Sequence, residues 1–277
     1  MLSRVSNFLR TSVVHTKING QINTELTRRI VNEFSRIKFS TPKLIAVSIN
    51  TSQGSYGQAE ELSKAIHSFA HKFDCPVYTF AEDIAAGPGY YLLASGNRVF
   101  ADSFSLIGGI STNSKTLDLI KFSKNTGVKY NLESVGKNKV RIHPFQELKD
   151  DDKKWMQMLL EEKLKLIKNS ILEKRGHKIP RDQEKETLAL GGDVFLGSKA
   201  VELGLVDSIN CFRGIVTKEY DESRIINLPR RNTFGGGVKN LTSGIDIRSE
   251  KIVEVIDEIP DKILANRHSF NSYINNF

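Results

Sequence analysis

Three short stretches of this 277-residue chain break the surrounding pattern in a way that packing alone does not require. They are Asn50-Thr51-Ser52-Gln53-Gly54-Ser55, Ala85-Ala86-Gly87-Pro88-Gly89-Tyr90-Tyr91 and Ile107-Gly108-Gly109-Ile110-Ser111. Each stands where an apolar run gives way to a turn or a helix. In an open parallel sheet such strand ends converge on one crevice, and backbone N–H groups at a helix start favour anions. Other chemistries are poorly served. Cys75 and Cys211 have no Cys or His at metal-ligand spacing and read as reduced, partly buried thiols. His15, His67, His71, His143, His177 and His268 form no close cluster and read as structural. Gly235-Gly236-Gly237 lacks the Lys and Ser or Thr that follow a phosphate loop and reads as a linker. The expectation is no metal and no cofactor.

The elements that must position these loops alternate. Residues 13–22 (VVHTKINGQI) read as a strand ending in a glycine turn, and a helix follows with Leu26, Ile30, Phe34 and Ile37 on one face. Residues 43–50 (KLIAVSIN) form a second β-rich run, and Leu62, Ala65, Ile66 and Phe69 mark a second helix. A short strand at 76–80, a helix at about 89–96, and strand-like stretches at 98–101 and 130–135 continue the order. Alternation of this kind implies parallel strands with crossover helices, hence an α/β class. Residues 150–175 carry the longest helical pattern, with Met156, Leu160, Leu164, Ile167 and Ile171 on one stripe and Glu161 spaced to pair with Lys165.

Net charge is +8, but residues 1–43 hold eight basic side chains against Glu25 and Glu33, which accounts for six of those charges. The nearly neutral remainder has no basic stripe with interleaved aromatics, so nucleic acid is not an expected partner. No apolar run reaches bilayer-spanning length. The start, MLSRVSNFLRTS, has two arginines, three serines and no acid, which is the composition of a mitochondrial transit segment; an ordinary basic arm is the alternative.

With these residues in view, the chain resembles the signal peptide peptidase A (protease IV) family of serine proteases, relatives of the Clp protease and crotonase fold. The strongest match is the string from Gly192 to Asp207, GDVFLGSKAVELGLVD, similar to a late signature of that family. The resemblance runs over roughly residues 13–229 and implies a Clp protease/crotonase-like fold of repeated ββα units with a mostly parallel sheet. It also implies where the machinery belongs. Gly87 stands in place of the nucleophilic serine, and a glycine has no side chain to attack a carbonyl. Lys139, in Gly136-Lys137-Asn138-Lys139, occupies the general-base position. Gly109 replaces the serine that orients that lysine. In the oxyanion loop, Ser52 and Gln53 replace a proline and a glycine, with Gly54 retained. Ser52, Ser55, Ser95 and Ser111 are the hydroxyls that a relocated nucleophile has to draw on.

The sequence therefore predicts a targeting-like arm at 1–12, a protease IV-like α/β domain at 13–232, and a Gly-rich linker with a helical interaction extension at 233–277. It predicts a non-catalytic homologue acting as a structural or accessory subunit of a mitochondrial assembly, on the matrix side or associated with the inner membrane. Homo-oligomers are a further expectation, and no transmembrane segment is expected. Ile252, Ile256, Ile259 and Ile263, with Phe270, Tyr273 and Phe277, are the expected docking side chains. An active endopeptidase with a relocated nucleophile, and a peptide-binding module, are the alternatives.

Overall fold

Val13, Val14, Leu44, Ile45 and Val47 are β-branched or bulky residues in unbroken apolar runs, the pattern of strands buried on both faces. The computed structural model describes residues 12–37, 42–136, 138–221 and 223–228, so the arm and the 233–277 extension, with its isoleucine stripe and aromatic anchors, lie outside the described residues. The described residues fall into two compact units, one drawn from within residues 12–114 and 154–228 and the other from 115–153.

The first unit is built on one eight-stranded sheet. β1 (Ser12–Asn19) leads through helix α1 (Thr24–Ser35) to β2 (Pro42–Thr51), and α2 (Tyr56–Lys72) leads to β3 (Val77–Ala86). A short helix α3 (Pro88–Leu93) precedes β4 (Arg98–Ala101) and β5 (Leu106–Gly108). The spatial order is β6-β5-β3-β2-β1-β8, with β4 beside β3 and β7 beside β4. Here β6 is Val194–Leu196, β7 Ser208–Ile209 and β8 Arg224–Leu228. Every pairing is parallel except β5 with β6. The mostly parallel α/β class follows as expected. β3 runs six residues beyond the predicted end at Phe80, because its far half pairs with β5 even though Glu82 and Asp83 interrupt the apolar pattern.

The helices divide between two faces. One face carries Val14, Ile18, Ile45, Val47 and Ile49 and is buried against α1, α2 and α3. The other carries Val13, Leu44, Ala46, Tyr78, Phe80 and Phe100 and packs on Ile215 and Val216 of α8 (Phe212–Glu219). Asn23 caps α1 through its side chain, Oδ1 accepting from the Leu26 N–H at 2.9 Å. The long helix lies at Asp150–Arg175, where Ile167 and Ile171 are buried and the rest of the stripe is half-buried. Glu161 takes the Gln157 amide at 2.8 Å in place of the predicted partner Lys165.

In the second unit, helix α4 (Ile120–Thr126) ends on Gly127, and the Leu119 N–H reaches the Pro144 carbonyl at 2.8 Å. With this helix placed, the long helix is α5, and α6 (Gln183–Ala189) and α7 (Gly197–Glu202) complete the order. The predicted strand at 130–135 does not form. Those residues are exposed, and Tyr130 instead stacks on His143 with centroids 4.3 Å apart, a local contact that no sheet partner competes with. Arg141 and Asp152 pair at 3.0 Å in the same unit.

Candidate functional site

β3 ends at Ala86 and α3 begins at Pro88, leaving Gly87 to make the whole turn. Its φ of 54° and ψ of −121° lie where glycine alone is unstrained. The turn is pinned on both sides: the Gly87 N–H donates to the Gly108 carbonyl at 2.9 Å, and the Tyr91 N–H donates to the Gly87 carbonyl at 3.0 Å. A sharp strand-turn-helix of this shape is how α/β hydrolytic folds expose a nucleophile. Space for one remains. A Cβ built on Gly87 would lie 3.5 Å from the Ser52 carbonyl and 3.7 Å from the Tyr56 hydroxyl, ordinary contacts. The turn itself presents no side-chain hydroxyl.

The donors that such a turn needs are compromised independently. The residue after the turn would normally aim its N–H at a developing oxyanion, and Pro88 has none. In the loop after β2, the Gln53 N–H is taken by the Thr51 hydroxyl at 3.1 Å, and the Gln53 carbonyl accepts the Ile22 N–H at 3.0 Å. Gly54 is held where a Cβ would come within 2.6 Å of Ile22 backbone atoms at φ 132°. The Gly109 N–H is spent on the Asp193 carbonyl at 2.7 Å. A Cβ at Gly109 would lie 3.1 Å from the Ala86 Cβ, at a left-handed φ of 63°, so a serine there is both crowded and strained.

Ser52, Gly54, Gly87, Gly109, Ser111 and Lys163 line one cleft of about 300 Å³. Four positions singled out in the sequence around the expected nucleophile thus share a surface, as Ser111 does. Gln53 lies in the same loop but does not line the cleft. Lys139 belongs to the other unit, in a turn closed by its N–H on the Gly136 carbonyl at 3.1 Å. Among the described residues, Lys163 from α5 lines this cleft, its ammonium 5.9 Å from the Tyr56 ring centroid. Sequence reading missed it because it sits among several charged residues on an amphipathic helix. Tyr56 donates to the Ser111 carbonyl at 3.1 Å, and burial pushes its phenol above the ordinary range despite that bond. Ser95 is engaged elsewhere, its hydroxyl donating to the Leu92 carbonyl at 2.7 Å.

Behind the cleft a polar cluster fixes the tyrosine pair that follows the turn. Tyr91 donates to Glu60 at 2.9 Å and shares a bond with Ser170 at 2.7 Å, while Lys174 reaches Glu60 at 3.1 Å. Burial alone would raise the Glu60 carboxyl, but these bonds and Lys64 hold it below its usual range. Tyr90 is fully buried and donates to the Leu205 carbonyl at 3.1 Å. The 192–207 string has a structural purpose here. Its last residue, Asp207, accepts the Val99 N–H at 2.7 Å and pairs at 3.0 Å with Arg175, which is 2% exposed. Burial opposes the Asp207 charge, and Arg175 and the Val99 N–H carry its carboxyl below the ordinary range.

Residues 70–225, more than half of the chain, match the family model of peptidase family S49. The chain belongs to peptidase family S49. The matched stretch contains the Gly87 turn, Gly109, Lys139 and the 192–207 string, whereas the Asn50 to Gly54 loop precedes it. Named S49-like relatives include a putative signal peptide peptidase SppA from Enterococcus faecium, 25% identical over 60% of this chain and 47% of that one. The probable protease SohB of Haemophilus influenzae is 23% identical over 54% of this chain and 41% of that one. A protein of Brucella abortus named Na(+)/H(+) antiporter NhaA is 27% identical over 80% of this chain. This chain spans only 30% of that relative's length, and less than half of the other two. Among the described residues, no helix is long and apolar enough to cross a membrane.

One more sequence expectation changes in the structure. Cys211 is exposed rather than partly buried, because it caps α8, its Sγ accepting the Gly214 N–H at 3.5 Å. Cys75 is half-buried, and burial raises its thiol to about 11. His15, far from the cleft loops in sequence, proves to be hydrogen-bonded to two side chains on other strands.

Proposed function

We propose that this S49 chain is a non-catalytic homologue of a signal peptide peptidase A-type serine protease, serving as a structural or accessory subunit of a mitochondrial protein assembly. The observation that carries the first half is Gly87 at the turn. Acyl transfer needs a hydroxyl, a base and aligned donors at once. Here the hydroxyl is absent, Pro88 removes one donor, and the Gln53 N–H is committed to Thr51. The mitochondrial half rests on the acid-free, Arg- and Ser-bearing start. The retained cleft of about 300 Å³ favours a second reading, the capture of an extended peptide without cutting it.

Purified chain incubated with unfolded casein should yield no fragments, and Gly87→Ser alone should not restore cleavage, because the donor losses remain. Casein cleavage abolished by Ser52→Ala or Ser111→Ala would overturn the reading in favour of a relocated nucleophile. For location, a tagged chain lacking residues 1–12 should stay in the cytosol. Normal import of that variant would remove the segment as the address.

A further inference from the structure

The second face of the sheet holds a polar trio where its neighbours are apolar. Across β1 and β8 His15 is in register with Asn227, and across β1 and β2 it is in register with Ala46, two residues before Ser48. The pleat therefore sets all three side chains on one face. His15 Nδ1 lies 3.0 Å from Asn227 Oδ1, and His15 Nε2 lies 2.9 Å from Ser48 Oγ. An amide oxygen only accepts, so Nδ1 carries the proton. Nε2 then presents its lone pair to the Ser48 hydroxyl, which donates. The imidazole is held flat on Phe212, with centroids 3.8 Å apart and planes 10° off parallel.

A buried network with a purely structural purpose is normally packed around on all sides. This one lines a cavity of about 570 Å³, nearly twice the volume at Gly87. Phe80, Phe212 and Ile225 supply its apolar wall, and charged groups of both signs, Lys17 and Arg213 with Glu82, Asp83 and Asp102, line the rest. Lys17 is engaged by Glu82, which leaves Arg213 as the other cation of the lining. Burial lowers the pKa of His15, which keeps the imidazole neutral and able to accept a proton.

We propose that His15, Ser48 and Asn227 form a second site, independent of the Gly87 cleft, that hydrolyses small carboxylic esters with a short apolar acyl group. Ser48 Oγ bonds to the ester carbonyl carbon as its proton passes to His15 Nε2. The tetrahedral adduct collapses, the carbon–oxygen bond to the alkoxy group breaks, and His15 returns the proton to the departing alcohol. Water then attacks the acyl-Ser48 ester, giving up its proton through His15, and releases the carboxylic acid and the free hydroxyl. Ser48 and His15 are the catalytic residues. Asn227 is a positioning residue, because it acts only by fixing the tautomer and the ring plane.

The test uses the full chain with two probes, a fluorophosphonate and p-nitrophenyl butyrate. Peptide mapping should place the phosphonyl adduct on Ser48 of the wild-type protein. Ser48→Ala and His15→Gln should each lower butyrate hydrolysis about 100-fold or more. Asn227→Asp, which still accepts from Nδ1, should retain most of the rate, whereas Asn227→Leu should lose it while the chain stays folded by circular dichroism at the assay temperature. Absence of an adduct on Ser48 in the folded wild-type protein overturns the proposal whether or not any variant folds, and so does labelling that survives His15→Gln. An adduct on Ser52 or Ser111 overturns it too, and counts against the non-catalytic reading of the Gly87 cleft instead of for this site.

Discussion

Two regions of one sheet differ in what they present. At the end of β3 a sharp strand-turn-helix has a glycine at its corner; on the His15 face an ordinary strand surface, with no special backbone, carries an oriented hydroxyl and imidazole. Backbone shape and reactive groups are thus separable. A turn such as Gly87 persists because the fold needs it to send β3 into α3, so it is poor testimony to activity. A buried histidine needs hydrogen-bond partners whatever its function, so it is the cavity beside the Ser–His contact that sets this pair apart.

Perturbing the cleft side should cost the most. Gly54→Ala would drive a Cβ to 2.4 Å from the Ile22 carbonyl at φ 132°, and we expect a loss of about 3 kcal/mol or more in denaturant unfolding, from overpacking added to backbone strain. Gly87→Ser should be milder. Its Cβ meets nothing closer than 3.5 Å, so the cost is the left-handed backbone alone, about 1–3 kcal/mol, with no protease activity gained. An equal cost for the two would show that the turn at Gly87 is as tightly enclosed as the loop at Gly54.

Ser48→Ala removes one partner of a nearly buried imidazole and should cost about 1–2 kcal/mol by the same unfolding measurement. The smallest effect is in pH. The pKa of His15 is lowered in the folded state, so below the unfolded value of 6.5 the unfolded chain binds the proton more readily. The stability this neutral ring contributes is fully present above that pH and declines as pH falls through it. Lys17 on the same strand opposes protonation and Glu82 across the sheet favours it, with burial the largest influence. A His15→Asn variant should lack this part of the pH slope. An identical slope in both proteins would place His15 in a more hydrated setting than the His15 face implies.

Much of this was legible before the fold was known, for reasons that differ by element. The strands and helices from β1 to β4 announce themselves because long apolar runs and 3.6-residue spacing act locally. The far half of β3 does not, since Glu82 and Asp83 break the apolar run just before Ile84 to Ala86, which pair with β5 more than twenty residues on. The stretch at 130–135 has β-rich composition but no partner strand, and composition cannot register that. At the cleft, Gly87 and Gly109 stand out as glycines where the family resemblance expects serines, Gly54 as the glycine retained in its loop, and the missing N–H of Pro88 is readable from the same string. Lys163, brought to that cleft by a helix, was not. The trio of His15, Ser48 and Asn227 is separated by 33 and 212 residues, and only the register of three parallel strands unites it.

The central claim is that the family cleft cannot perform acyl transfer, and repairing it one residue at a time is the most direct trial. Casein turnover should be measured for the wild type, Gly87→Ser, and Gly87→Ser combined with Pro88→Gly, which restores a hydroxyl and then an N–H donor. The account predicts no turnover in the first two, with any gain confined to the double variant. Turnover by the wild type, or its appearance in Gly87→Ser alone, would contradict it.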